Sequence, residues 1–425
     1  MVPHLSKYKL KKAMLYSLRW LAILHLCSLA CMAQSTDPAD LRSRIKGMLL
    51  GSLIGDAAGG PVEFKDVSKV GEWPNCVRNW EKGKKLDASA KRELAESFRL
   101  LSYAKLRPRP EPYAHWTTNA KRGTVTDDSR HKIILIDALR NALERNTWPI
   151  TEQRLAQSYV DYAQSEAIVS RKEYAELCEE GFREYNAAAK WIIGKRDATA
   201  QPPSRLWGGV STNAGQMTLP PLAAVFAGDP NSAYESAFRV GFIDNGIAKD
   251  INSAIIAGLA KALVVEFDDK KPMDAWNVVI DCMSQTDPYR YSDIPFVRRP
   301  TTEWIDFSRK AVSLSDGNPR ALFHHLETNA KPHFYWDAHF VFACAMSIIG
   351  FCELDPLASL HVAVDLGHDT DSTAQLVGCF VGAIYGETAF PKEMRETIAV
   401  RLKADYGQSL DEWVETLIRC HHANR

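Results

Sequence analysis

The sequence predicts an all-α protein. Three observations carry that expectation. Apolar residues recur at helical spacing along most of the 425-residue chain, and strand-like alternation is scarce. Each of three acid-rich motifs also stands at one end of an apolar helical run. The length suggests one large domain or two ordinary ones. An apolar content of 46% leaves enough material for a sizeable core.

Residues 1–33 read as a secretory leader. Lys7, Lys9, Lys11, Lys12 and Arg19 form a basic stretch with no acid, and an apolar run follows over residues 20–33. Small residues stand at Ala30 and Ala33, ahead of polar Gln34-Ser35-Thr36. Cleavage after Ala33 is expected, and with it export to the periplasm or the exterior; retention as a membrane anchor is the alternative. The apolar run is too short for a comfortable bilayer crossing. No stable membrane span is therefore expected after leader removal, and the mature chain, residues 34–425, is expected to be a single domain and a monomer. Bases and acids number 52 each, so without the five leader cations acids exceed bases by five. Such a balance offers no footprint for nucleic acid. Nine cysteines are scattered without a Cys-x-x-Cys spacing, which is neither a disulfide framework nor a zinc site.

The first mature helix is expected to start within residues 37–40 and run over 41–58. Gly47, Gly51, Gly55 and Gly59 recur every four residues on one of its faces. Glycine costs about 1 kcal/mol per helix position relative to alanine, so close packing or a ligand must compensate. Asp56 lies near the end of this helix. Gly59-Gly60-Pro61 breaks it, and Glu63 follows on a turn, where catalytic groups often sit. Residues 64–123 read as a loop-rich insertion around one polar helix in the charged run 82–99, with an extended stretch at Arg107-Pro108-Arg109-Pro110-Glu111-Pro112.

The second acid cluster is Thr124-Val125-Thr126-Asp127-Asp128-Ser129, which opens an amphipathic helix carrying Ile133, Ile134, Ala138, Leu139 and Leu143. Helical stretches follow at 153–163, 233–243, 251–266, 273–283, 337–351, 356–364 and 393–404. Between them, residues 207–217 form a polar Gly/Ser/Asn loop of the kind that can bring backbone N–H groups against phosphates. The third cluster is Gly367-His368-Asp369-Thr370-Asp371-Ser372. It opens an apolar helix in which Gly378, Gly382 and Gly386 again recur every four residues, so the two glycine-faced helices are expected to pack together. Capping explains one acid per helix start, not this many. Asp56, Glu63, Asp127, Asp128, Asp369 and Asp371 can converge on one polar centre, and hard oxygen donors gathered in a core suit Mg²⁺, Mn²⁺ or Ca²⁺. Serine-hydrolase, zinc-protease, P-loop and dinucleotide-binding signatures are absent.

Three blocks in order resemble the ADP-ribosylglycohydrolase family, which includes the dinitrogenase reductase-activating glycohydrolases. They are the stretch from Gly51-Ser52-Leu53-Ile54-Gly55-Asp56 to Pro61-Val62-Glu63-Phe64, then Thr126-Asp127-Asp128-Ser129, then Gly367-His368-Asp369-Thr370-Asp371-Ser372. The resemblance spans roughly residues 40–390. It implies one orthogonal all-α domain around a binuclear metal centre, and a hydrolase of ADP-ribosyl adducts. By motif, Thr126, Asp127, Asp128, Asp369, Asp371 and Ser372 would hold two Mg²⁺ ions, with Mn²⁺ the alternative, and Glu63 would assist hydrolysis. Asp56, His368 and the loop residues Gly209, Ser211, Asn213, Gly215 and Met217 would serve the substrate. Three departures stand out. His368 replaces a second glycine, Thr218 replaces an arginine, and Ile243-Asp244-Asn245-Gly246-Ile247 replaces a segment with a Thr-His pair. These bear on which ADP-ribosyl linkage, or which related glycoside or phosphoester, is the substrate.

Overall fold

The computed structural model describes residues 37–102, 106, 121–165 and 182–425. The leader and the Arg107-Pro108 stretch lie outside them. The chain divides into a unit of residues 1–41, of which only the opening of the first helix is described, and a unit of residues 42–425. Described residues form α1 (Pro38–Gly59), α2 (Ala88–Ser97), α3 (Asp127–Glu144), α4 (Glu152–Ala163) and α5 (Arg183–Ile192). Next come α6 (Ala214–Thr218), α7 (Pro220–Val225), α8 (Pro230–Val240), α9 (Ala248–Ala262) and α10 (Pro272–Gln285). The rest are α11 (Pro300–Ser315), α12 (Pro319–Asn329), α13 (Ala338–Phe351), α14 (Pro356–Leu366), α15 (Thr370–Tyr385), α16 (Lys392–Tyr406) and α17 (Leu410–Ala423). Among the described residues the extended pairing amounts to two isolated bridges, Ser102 with Arg122 and Thr212 with Asp337. The fold is all-α, as expected.

The glycine faces of α1 and α15 meet backbone to backbone, the helices running antiparallel. A Cβ added to Gly47 would lie 2.3 Å from the Gly382 carbonyl oxygen, one on Gly51 2.0 Å from that of Gly378, and one on Gly55 2.2 Å from that of Ala374. At Gly59 it would meet the peptide of Thr370 and Asp371 at 2.5 Å. Any side chain along this seam would force the helices apart. The seam fixes the end of α1, which carries Asp56, against the start of α15, which carries Asp371. Gly51→Ala is therefore expected to destabilise the protein by at least the roughly 1–3 kcal/mol typical of overpacking, because the obstacle is backbone and cannot rotate away. Gly71→Ala is the matched control, since a Cβ there meets nothing within 4 Å. Thermal melting of both variants checks this; equal midpoints would show that the seam tolerates a methyl group.

The stretch after Glu63 is more tightly tied down than a loop-rich insertion requires. Trp73 Nε1 and the Val77 N–H donate to the buried Asp365 carboxylate of α14 at 2.6 and 2.8 Å. Arg78 Nε donates to the Asp365 carbonyl oxygen at 2.8 Å. Burial pushes the Asp365 carboxyl up to about 7.

Candidate functional site

Each acidic block is placed by a local feature of the backbone. α1 runs through Gly59 into a 3₁₀ turn, Gly60–Val62, and Glu63 follows that turn, half-buried. At α3 the capping residue is Thr126, whose side chain accepts the Asp128 N–H. Capping thus occupies neither Asp127 nor Asp128. Asp369 stands at the N-cap position of α15 but makes no side-chain capping bond. Its Oδ2 accepts from Asn213 Nδ2 at 2.9 Å instead.

These side chains meet at a cavity of about 210 Å³ lined by Glu63, Asp127, Asp128, Asp369, Asp371 and Ser372. Asn213 and Met217 of the Gly/Ser/Asn segment line it as well. Ligand-type oxygens of Glu63, Asp369 and Asp371 lie within 4.8 Å of one another, as do those of Asp127, Asp128 and Asp371. Asp371 belongs to both groups. Its Oδ2 accepts from Thr126 Oγ1 at 3.1 Å, and its Oδ1 from the Ser372 N–H at 3.0 Å. Ser372 Oγ donates to Asp128 Oδ2 at 3.2 Å. Asp128 Oδ1 is buried with no hydrogen-bond partner.

Burial raises the pKa of several of these carboxyls, and the Asp371 charge adds to the effect. Asp56 is pushed up to about 7 and Asp127 to about 6, while Asp128 and Asp369 are held well above the ordinary range. Crowded, desolvated acids of this kind are able to hold a positive charge.

Other residues singled out from the sequence do not line the cavity. Asp56 is fully buried and accepts from the Thr126 N–H at 2.8 Å, the Ser129 N–H at 3.1 Å and the Ser129 hydroxyl. It positions the first turn of α3 and does not face the cavity. Gly215 donates its N–H to Asp244 Oδ1 at 2.9 Å, and Ser211 Oγ donates to the Asn245 carbonyl oxygen. The segment that departs from the family pattern therefore supports the loop from beneath. Gly209 and His368 are not among the lining residues. His368 has φ +62°, the left-handed conformation in which a glycine would be unstrained. Its ring stacks on Tyr335 with centroids 3.7 Å apart, and its Nε2 lies 2.8 Å from Glu327 Oε1.

Sequence reasoning missed the walls. Phe64, Tyr185, Trp207 and Trp336 line the cavity beside Glu184 and Thr212. Trp207 meets Tyr185 edge-on at 5.4 Å, and Trp336 meets Phe64 edge-on at 5.9 Å. These residues lie in four separate segments, so no local spacing announces them. Lys132, fully buried one turn after Asp128 on α3, was also missed. A lysine within that apolar stripe was the available signal.

No curated protein matches the chain. Among solved structures, one described as an "ADP-ribosylglycohydrolase-related protein complex" has a TM-score of 0.51 at 17% sequence identity, covering 90% of this chain and 99% of that chain. That likeness is one of fold. The sequence profile of the ADP-ribosylglycohydrolase family matches residues 37–424, a span that holds all three acid blocks and the seam between them, and the chain belongs to that family.

Proposed function

We propose that the protein is a divalent-cation-dependent hydrolase that cleaves the glycosidic bond at the anomeric ribose carbon of an ADP-ribosyl adduct. One observation carries the reading: Asp371 belongs both to a group with Asp127 and Asp128 and to a group with Asp369 and Glu63, which suits two adjacent cations with Glu63 beside one of them. The donors fit Mg²⁺ or Mn²⁺, being all oxygen, and the orphaned Asp128 Oδ1 lacks any other partner. Asp127, Asp128, Asp369 and Asp371, with the Thr126 and Ser372 hydroxyls, would hold the ions. When bound, such ions orient ribose hydroxyls and stabilise developing charge. Glu63 moves the proton, from the attacking water or to the leaving group. Asn213 fixes Asp369 through its hydrogen bond. Tyr185, Trp207 and Trp336 give the cavity flat apolar walls suited to a nucleoside.

The test is release of ADP-ribose from ADP-ribosyl-arginine and ADP-ribosyl-serine, with simple glycosides and phosphoesters alongside. Release is expected with Mg²⁺ and lost in EDTA. No turnover of any ADP-ribosyl substrate would overturn the reading; turnover confined to the other compounds would reassign the bond. We place the mature protein outside the cytoplasm on the pattern of residues 1–33. Among the described residues no helix is long and apolar enough to cross a membrane.

The raised carboxyl pKa values fix how ion-free stability depends on pH. Asp56 and Asp127 titrate near 7 and 6 when folded, against 3.8 ordinarily. The folded state thus binds more protons than the unfolded chain between those values. The stability these two groups contribute is fully present below their ordinary pKa and is lost as pH rises through 6 to 7. In EDTA the melting temperature should therefore fall between about pH 5.5 and about pH 8. Added Mg²⁺ should raise it more at the higher pH, where the carboxylates are ionised. An Mg²⁺ shift of equal size at both pH values would count against carboxylate ligation.

A further inference from the structure

Lys132 lies directly behind the acidic centre and is fully buried. Its ammonium donates to the Asp128 carbonyl oxygen at 3.0 Å and to Gln375 Oε1 at 2.9 Å. Both acceptors are neutral. Gln375 Oε1 also accepts from Ser52 Oγ at 3.0 Å, and Gln375 Nε2 donates to the Gln216 carbonyl oxygen at 3.1 Å. This network joins α1, α3, α6 and α15. Those four helices carry or adjoin Asp56, the Asp127–Asp128 pair, Asn213 with Met217, and the Asp369–Asp371 pair.

A buried ammonium held only by neutral acceptors is costly unless opposite charge lies near. The Lys132 charge acts on the Asp128 carboxyl, one turn away on the same helix, as that of the fully buried Arg130 acts on Asp127. Simple packing at this position would call for an apolar side chain, which the neighbouring Ile133, Leu135 and Ile136 show is readily accommodated.

We propose that Lys132 is a built-in counter-charge of the acidic centre. It is a positioning residue that holds the carboxylates together when no ion is bound and opposes, by like-charge repulsion, the ions that bind. This rests on the divalent-cation reading of the same carboxylates. The two functions separate in sign. Removing the charge should weaken the ion-free fold and strengthen cation binding, whereas removing a mere plug would weaken the fold and leave binding unchanged or poorer.

The experiment is calorimetric titration of Mg²⁺ into the full chain at about pH 8, with thermal melting in EDTA, for wild type, Lys132→Met and Lys132→Gln. Lys132→Gln keeps a hydrogen-bond donor without the charge. Both variants are expected to melt lower in EDTA and to bind Mg²⁺ at least about tenfold tighter, a floor well below the full repulsion between a unit charge and a divalent ion a few ångströms apart at an effective dielectric near 20. Unchanged or weaker affinity in both overturns the proposal. A variant that folds only when millimolar Mg²⁺ is supplied supports it, since the ion then replaces the missing charge. If neither variant folds with or without Mg²⁺, Lys132 is a packing and hydrogen-bonding element and the proposal falls. Wild type that takes up neither Mg²⁺ nor Mn²⁺ defeats the cation reading itself, an outcome visible without any variant.

Discussion

Asp371→Asn is expected to abolish cation binding and hydrolysis together. Asp371 is the one carboxylate shared by both groups of three, so a single substitution removes a full negative charge from each. The change is nearly isosteric, and the partners at Thr126 and Ser372 remain. A folded variant is therefore expected. Losing a partner that merely supports a ligand typically costs 10–100-fold; loss of a shared ligand should exceed about 100-fold in both Mg²⁺ affinity and kcat/KM. Titration calorimetry and steady-state kinetics check this. Normal Mg²⁺ uptake by the variant would remove Asp371 from the centre.

Glu63→Gln is expected to lower kcat by about 10²–10⁴-fold, the usual worth of general acid–base assistance, while Mg²⁺ affinity changes little. The motive is its placement beyond the rigid helix, after the Gly60–Val62 turn and at the cavity wall. Glu63 also falls within one of the carboxylate groups, beside Asp369 and Asp371, so its two roles must be separated by stoichiometry. Two Mg²⁺ per chain with a collapsed kcat makes Glu63 the proton carrier. One Mg²⁺ per chain makes it a ligand, and the proton must then be moved by another group.

The sequence was most legible where one physical rule acted alone. A four-residue glycine period has no use in an isolated helix, so the period by itself pointed to the pairing of α1 with α15. Acids in excess of capping needs likewise announced the centre. An opening proline was no obstacle at α8, α10 and α14, which start at Pro230, Pro272 and Pro356 and match expected stretches, but two other helices escaped. Pro300 and Pro319 open α11 and α12 at the first helical turn, where proline is tolerated, and neither helix was expected. α17 also escaped, although its amphipathic pattern and the Ser409 cap are signals that announce a helix. The sequence presents residues 207–217 as a loop, yet α6 begins at Ala214, inside that stretch. Phe64, next to Glu63, and Trp207, at the start of the Gly/Ser/Asn segment, stand within stretches the sequence singles out, whereas Tyr185 and Trp336 join them only by tertiary packing.

The seam between α1 and α15 makes the spacing of the acid blocks a discrete quantity. Glycine recurs every fourth residue on α1, and at Gly378, Gly382 and Gly386 along the chain that faces it. The helices can therefore re-dock without a side-chain clash only after a slide of four residues, about 6 Å at 1.5 Å per residue. Smaller slides bring non-glycine positions to the seam, where in the present register a Cβ on Gly51 would already lie 2.0 Å from the Gly378 carbonyl oxygen. The seam works as a ratchet with one usable notch. Asp56 and Asp371 are held to a register counted in helical turns rather than tuned by rotamers, so softening of the surrounding core should leave that register intact until the two helices part.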